Sequence, residues 1–213
     1  MGELYPGYNV LNKRNSPSWN EQTRRVIDER LAIDPDHHCF FDAIEWQVVR
    51  ALCDRILPQA TEHPVPLAAM LDKKIHKNST EGYRDARLPP IQEAWRIGIR
   101  AIDAESIGHF GKRFHETEIK QQTLLLTLVQ HGTLDTKNWQ GMSPAIFFVK
   151  RVLHDLTSLY YAHPTAWNEI GFGGPASPRG YVRMNYDMRD PWEAIEAGPE
   201  GQEEVRRRNA HVR

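Results

Sequence analysis

Ten histidines in this 213-residue chain raise the question of a metal site. Residues 37–39 (HHC) are adjacent and do not readily converge on one ion, and neither the HExxH nor the CxxC spacing of zinc sites occurs. Two cysteines, Cys39 and Cys53, are too few for an iron–sulfur cluster, which needs about four thiolates. We therefore expect no metal on this chain. A self-contained helical enzyme that binds a metal or cofactor through core histidines remains the alternative.

Residues 171–175 (GFGGP) are the segment that most resembles a phosphate-binding loop. The segment has neither GxGxxG nor GxxxxGK spacing, and no predicted strand precedes it. A GxSxG nucleophile elbow does not occur either. Asp54, Asp103 and Asp155 stand beside arginines in predicted helices, and we interpret them as surface ion pairs or solvated groups. The sequence therefore predicts a chain without catalytic residues and without a cofactor of its own.

The charge balance excludes two classes of partner, because 27 Lys and Arg face 28 Asp and Glu. A chain without a basic excess is not expected to bind nucleic acid or an anionic membrane surface. No stretch approaches the ~20 apolar residues that span a bilayer, so we expect no membrane insertion. Arg24 and Arg25 precede the charged residues 26–30 (VIDER) rather than an apolar segment, so we expect no signal peptide and a cytoplasmic location.

Five segments carry apolar residues at helical spacing and predict the main helices: 42–57, 66–77, 90–107, 117–131 and 143–163. Asp42 followed by Glu45 predicts a capping box at the first of them. Gly132 predicts a helix C-terminus, and Ser143 predicts the N-cap of the last helix. Gly98 lies on the apolar stripe of the third helix, which predicts close packing of a neighbouring helix.

The predicted fold class is all-α, with a single helical domain of about five main helices and extended, irregular arms at both ends. The arms are residues 1–36, which include a short helix over 19–31, and residues 164–213, which are rich in Gly, Pro and aromatic residues. The core is residues 37–163. Flexible linkers rarely carry so many aromatic residues, so the arms must bury their rings against this chain or against another one.

We predict that both arms contact a partner protein, since aromatic side chains dominate such interfaces. The predicted contact residues are Tyr5, Tyr8, Trp19, Trp167, Phe172, Pro175, Tyr181, Tyr186 and Trp192. A structural core without a dedicated partner is a third interpretation of the same pattern.

Two groups of motifs resemble a known family. Residues 40–46 (FFDAIEW) and 52–58 (LCDRILP) resemble the opening helix of the gluconate 2-dehydrogenase subunit 3 family. Residues 160–164 (YYAHP) and 167–175 (WNEIGFGGP) resemble the end of a long helix in that family and the segment that follows it. The motifs have the same order and spacing, and the resemblance extends over residues 39–182.

The resemblance implies a small, non-catalytic subunit that accompanies a large bacterial flavoprotein of the glucose–methanol–choline (GMC) type. It implies that the large subunit binds FAD, oxidises a sugar, sugar acid or polyol, and passes electrons to an acceptor such as a cytochrome. The small subunit then assists the folding, stability and export of the large one, as a transient helper or a permanent component. Many family members begin with a twin-arginine signal that this sequence does not show, so co-export to the periplasm on a signal-bearing partner is the alternative to a cytoplasmic location.

Overall fold

The computed structural model describes residues 3–16, 19–59, 64–79, 85–175 and 193–211. Regular secondary structure in these ranges is helical and includes no β-strand, which confirms the predicted all-α class. The helices are α1 (Glu21–Leu31), α2 (Ala43–Ile56), α3 (Leu67–His76), α4 (Ile91–Phe110), α5 (Ile119–His131), α6 (continuous through Pro144–Phe147, Phe148–Leu153 and His154–Ala162), α7 (Pro164–Glu169) and α8 (Gln202–Asn209). Short 3-10 turns lie at Val10–Lys13 and Phe114–Glu116. No helix in these ranges is both long and apolar enough to cross a bilayer.

The described ranges contain eight helices rather than the five main helices that the sequence predicts. The predicted five are α2 to α6, and α1 is the predicted short helix of the N-terminal segment. The other two, α7 and α8, correct the prediction that residues 164–213 are irregular. α7 begins with Pro164, whose fixed φ suits the first helical position. α8 has acidic residues in its first turn and arginines in its last, which complements the helix dipole.

The chain divides into two compact units. Residues 34–160 form one, which we call the helical unit, and residues 1–33 with 161–213 form the other, which we call the terminal unit. The sequence predicts one domain with two extended arms, whereas the structure gathers both chain ends into a single unit. The physical reason is that apolar side chains from the two ends bury one another, a pairing that no local sequence pattern reveals.

Helix α4 is central to the helical unit and packs against α2, α3, α5 and α6. Gly98 is buried on α4, and a methyl group there would collide with the ring of Phe147 on α6. Trp95, one turn earlier, meets the same ring edge-on at 5.4 Å between centroids. The predicted close packing at Gly98 is therefore confirmed, and it occurs against an aromatic ring.

The helix ends follow the predicted capping pattern. The Asp42 carboxylate accepts hydrogen bonds from the backbone N–H groups of Ile44 and Glu45. The Glu45 carboxylate in turn accepts a hydrogen bond from the Asp42 N–H. Gly132 ends α5 with φ of 65°, a left-handed conformation that glycine adopts without strain. Ser143 caps α6. These local signals fix where the helices of the helical unit begin and end.

Helix α6 contains a six-residue π-helical segment, Phe148–Leu153, that the sequence does not predict. The wider turn buries Phe148 and Val152, and Asp155, just after it, is 1% exposed. Segments of this kind are rare and often mark places where a helix must re-aim side chains. In this chain the segment lies just before the buried carboxylate of Asp155.

The terminal unit has a small core of its own, in which the two chain ends contribute side chains to one cluster. The buried members are Tyr8, Val10, Trp19, Ile27, Trp167 and Ala194, and Tyr5 and Leu11 pack against them. Long-range hydrogen bonds tie the same segments together. The Val10 N–H donates to the Asn168 side chain at 2.9 Å, and the Arg30 guanidinium donates to the Ala162 carbonyl at 2.5 Å. The unit is therefore ordered by contacts between residues far apart in sequence.

Candidate partner-binding surface

Three of the predicted contact residues, Tyr8, Trp19 and Trp167, are buried inside the terminal unit. Their exposed fractions are 5%, 1% and 3%. Because these rings are buried by their own chain, they have little exposed area that a partner could contact. The sequence identified the rings but not the fact that they cover one another.

Phe172, Pro175 and Tyr5 retain surface that a partner can contact. Phe172 is 42% exposed, Pro175 is exposed and Tyr5 is half-buried. The remaining predicted contact residues lie outside the described residues: Tyr181, Tyr186 and Trp192.

Phe172 is held in place by Trp167. The two rings meet edge to face, with 5.5 Å between centroids and 89° between planes. The Phe172 N–H donates to the Trp167 carbonyl at 2.9 Å, and the indole N–H of Trp167 donates to the Tyr161 carbonyl at 2.6 Å. An exposed ring that is already fixed loses little conformational entropy when it binds, which suits an anchor residue.

The glycines of residues 171–175 have a structural role that differs from a phosphate loop. Gly171 has φ of 64°, and a methyl group on it would lie 2.6 Å from the Tyr5 ring. Gly174 has φ of 77°, and a methyl group there would lie 2.9 Å from the Trp19 ring. Only glycine combines a left-handed backbone with so close an approach. These glycines therefore let the segment lie directly on the aromatic cluster.

Lys13 is a buried charge that the sequence did not identify. Its side chain is fully buried, and its Nζ donates to the Gly173 carbonyl at 2.6 Å. Burial lowers the pKa of Lys13 to about 8, because the charged form loses hydration. Lys13 thus ties the glycine-rich segment to the N-terminal 3-10 turn by a side-chain hydrogen bond.

A groove of about 300 Å³ opens on the terminal unit. It is lined by Glu3, Leu4, Tyr5, Gly7, Tyr8, Asn168 and Glu169. The Tyr5 ring belongs both to this groove and to the contact with Gly171, the residue before Phe172. The Tyr5 ring therefore links the groove to Gly171, the sequence neighbour of Phe172. We call the groove and Phe172 together the Phe172 surface.

His163 is the one buried histidine in the described ranges. Its Nδ1 accepts a hydrogen bond from the Thr165 N–H at 3.3 Å, which caps α7 and requires an unprotonated Nδ1. Burial lowers the pKa of His163, and a hydrogen bond with the Arg30 backbone opposes this lowering in part. No three His, Cys, Asp or Glu side chains among the residues that the structure describes are grouped so that they could hold a metal ion.

The carboxylates that the sequence analysis treated as surface groups behave differently from one another. Asp54 is exposed as expected, but Asp155 is 1% exposed and Asp103 is 8% exposed. Asp155 accepts hydrogen bonds from the Trp95 indole N–H at 2.8 Å and from Lys74 Nζ at 3.1 Å. The surface interpretation of Asp155 and Asp103 is therefore wrong. Their partners come from other elements or a later turn, which the neighbouring arginines in the sequence did not reveal.

Asp103 closes the turn after α4. It accepts hydrogen bonds from the Phe114 N–H at 3.0 Å and from Arg113 Nη1 at 2.6 Å. Both buried carboxylates are thus satisfied by partners inside the helical unit, and each has a clear role in holding elements together.

Comparison with protein families identifies the chain. The family model described as Gluconate 2-dehydrogenase subunit 3 matches residues 43–174, which is more than half of the chain. The match begins at α2, includes the whole α2–α7 region and ends at Gly174. Comparisons with curated proteins and with solved structures found no match. The resemblance inferred from the motifs is therefore confirmed, and the chain belongs to the gluconate 2-dehydrogenase subunit 3 family.

Proposed function

We propose that this chain is the non-catalytic small subunit of a bacterial sugar dehydrogenase. In this proposal it binds and stabilises an FAD-dependent large subunit of the GMC type, which oxidises a sugar, sugar acid or polyol. Membership in a family named for subunit 3 of gluconate 2-dehydrogenase supports a place in an assembly of several subunits. Electrons leave through the large subunit to an acceptor such as a cytochrome.

The observation that carries the proposal is the Phe172 surface. Phe172 is 42% exposed, packs on the buried Trp167 and follows Gly171, which has a left-handed backbone. An exposed aromatic side chain held in this way is typical of an interface anchor. The same segment falls inside the region that matches the family. We therefore propose that the large subunit covers Phe172 and Tyr5.

We assign the FAD to the large subunit because this sequence contains no dinucleotide or P-loop fingerprint. We propose that the complex acts in the cytoplasm. Transport to the periplasm on a signal-bearing large subunit is the competing proposal, and fractionation of cells that express both subunits separates the two.

Co-expression with a GMC-type flavoprotein from the same genome tests the function. We expect the two chains to co-elute on size exclusion as a yellow complex that reduces a dye when sugar is added. We also expect the large subunit to melt at a lower temperature when it is produced alone, because a ligand of the folded state stabilises it. Sugar oxidation by the small chain alone, or a large subunit equally stable and active without it, would contradict the proposal.

A matched pair of variants tests the surface. Phe172→Ala should weaken the complex by roughly tenfold or more, since truncating a central aromatic anchor costs about 2 kcal/mol. Ile119→Ala is the control, because Ile119 is also an exposed apolar residue, at 62%, but lies on α5 of the helical unit. Equal dissociation rates for the two variants would remove the Phe172 surface from the interface. Thermal unfolding of each isolated variant shows whether it remains folded.

A further inference from the structure

The helical unit carries a second groove, of about 350 Å³, whose charged walls are not part of the hydrophobic core. Its lining includes Phe40, Glu93, Arg96, Arg100 and Gln140. Two arginines on successive turns of α4 therefore face one opening. The arrangement of these two guanidinium groups determines which ligand the groove can take.

Arg96 is fixed by Phe40, two residues before the α2 N-cap Asp42. Its guanidinium lies over the Phe40 ring at 4.5 Å from the centroid, and its Nη2 donates to the Phe40 carbonyl at 3.0 Å. Its Nε is buried and has no hydrogen-bond acceptor in the described part of the chain. Stacking on the aromatic face immobilises the cation without neutralising its charge.

Arg100 is fixed by Glu45. Its Nε donates to Glu45 Oε1 at 2.7 Å, and Glu45 is 4% exposed. The other oxygen of Glu45 accepts from the Asp42 N–H as part of the α2 cap. The Arg100 side chain is 59% exposed, and its two terminal nitrogens make no hydrogen bond to any residue that the structure describes. One guanidinium edge is thus anchored and the other is unused.

The two arginines of the groove lie close to only one buried carboxylate among the described residues, so their positive charges are not fully neutralised. Arg96 and Arg100 share one buried carboxylate, Glu45, which lies 4.0 Å from the Arg96 Nε and 2.7 Å from the Arg100 Nε. Glu93 is exposed and makes no ion pair in the described ranges. The inner part of the groove therefore has an excess of positive charge, and an exposed negative group also lines it.

We propose that this groove receives an aspartate or glutamate side chain of the large subunit. The proposal rests on the function proposed above and adds the chemistry of one contact. A carboxylate pairs with the planar donor edge of arginine through two parallel hydrogen bonds, and the unused edge of Arg100 provides them. Because Arg100 and Arg96 are already immobilised by Glu45 and Phe40, little entropy is lost when the carboxylate enters.

Gln140 also lines the groove and provides a suitable position at which to test its charge. It is exposed, has a left-handed backbone with φ of 51°, and its side chain makes no hydrogen bond in the described ranges. Non-glycine residues in this conformation are uncommon and often lie at functional sites. Replacing Gln140 by glutamate changes the charge beside the groove without disturbing the buried Glu45.

Three nearly isosteric variants of the purified complex test the proposal, with its dissociation rate as the measurement. Gln140→Glu should speed dissociation by about tenfold at low salt, because it places a like charge beside the entering carboxylate. Glu93→Gln should slow dissociation by about threefold, because it removes the repulsive charge in the groove. Gln130→Glu, at an exposed position on α5, is the control and should leave the rate unchanged. Both effects should shrink at high salt.

The outcomes separate this proposal from the function on which it rests. If the wild-type chain forms no complex with the large subunit, both fail. If a complex forms but Gln140→Glu behaves like Gln130→Glu, or Glu93→Gln speeds dissociation, only the groove proposal fails. Calorimetric binding of millimolar gluconate to the isolated chain that Gln140→Glu abolishes would also overturn it, since the groove would then take a free sugar acid.

Discussion

The two units of this chain bury their tryptophans in different ways. In the helical unit, Trp95 and Trp139 are fully buried, and Trp95 lies on a 20-residue helix with a continuous apolar stripe. In the terminal unit, Trp19 and Trp167 pack in a cluster whose members come from opposite ends of the sequence. One core is assembled from long helices, and the other is assembled from short segments that must find each other.

The difference predicts different stabilities. Local helices form with little loop closure, whereas the terminal unit must close a loop of more than a hundred residues before its rings meet. Side-chain to backbone bonds such as Lys13 to Gly173 and Asn209 to Pro6 then lock it. We therefore expect the terminal unit to open at lower free energy than the helical unit.

The largest expected effect compares two tryptophans. Trp167→Ala should lower the free energy of unfolding of the terminal unit by about 3–5 kcal/mol, enough to open it, while the helices of the helical unit stay protected. Trp95→Ala should cost a similar amount but in the helical unit. Hydrogen exchange measured by mass spectrometry resolves the two regions. Loss of protection in both units from the Trp167 variant alone would show that they do not open separately.

The second-largest effect is expected at a buried ion pair of the helical unit, between Lys74 and Asp155. Lys74→Met leaves the Asp155 carboxylate, 1% exposed, with the Trp95 indole as its principal donor, and should cost about 3 kcal/mol. Arg50→Met is the control, because it removes an exposed pair with Asp36 and should cost under about 1 kcal/mol. Urea unfolding of both variants measures the difference. Equal costs would mean that burial of Asp155 does not matter to the helical unit.

A glycine pair sharpens the role of close packing in the terminal unit. Gly174→Ala combines a left-handed backbone with a collision against Trp19, so we expect a loss of about 2–3 kcal/mol. Gly141→Ala is matched in backbone, with φ of 81°, but has open space around it and should cost about 1 kcal/mol. Thermal unfolding measures both. A Gly174 variant no worse than the Gly141 variant would show that the cluster can move aside.

The buried lysine makes the terminal unit sensitive to alkaline pH. The pKa of Lys13 is about 8 in the folded unit and 10.5 in a solvated chain, so the unfolded state holds more protons between these values. The free energy of unfolding should therefore rise with pH in that window, by at most about 1.4 kcal/mol per pH unit. Below pH 8 the full cost of burying the charged lysine is present. Lys13→Met should abolish the rise. A pH profile unchanged by this substitution would exclude Lys13 as its source.

The smallest effect is expected on the acidic side. Burial lowers the pKa of His163 below its usual 6.5, so the unfolded chain takes up a proton that the folded unit resists. The stability of the terminal unit should therefore be complete above pH 6.5 and fall as the pH drops below it, because protonation also breaks the cap on the Thr165 N–H. Hydrogen exchange near α7, measured across this range, gives the opening free energy at each pH. An opening free energy that does not change with pH would count against the prediction.

Much of the helical unit could be predicted because its signals are local. Asp42 with Glu45, Gly132 and Ser143 placed helix ends correctly, and Gly98 on an apolar stripe indicated close packing. The family motifs were equally legible, and the family match confirmed them. The buried state of Asp155 could not be predicted, since its partner Lys74 is 81 residues away.

The sequence by itself determined the helical class, the main helix boundaries, the family and the aromatic residues at both chain ends. Only the tertiary structure decided that Tyr8, Trp19 and Trp167 shelter one another, that Lys13 is buried, and that Phe172 keeps its ring exposed. The physical reason is that hydrogen-bonded turns and caps depend on neighbouring residues, whereas burial depends on which distant segments meet. Gly171 and Gly174 show both contributions. The sequence shows that they are glycines, but only the structure shows that the rings of Tyr5 and Trp19 leave no room for a larger side chain.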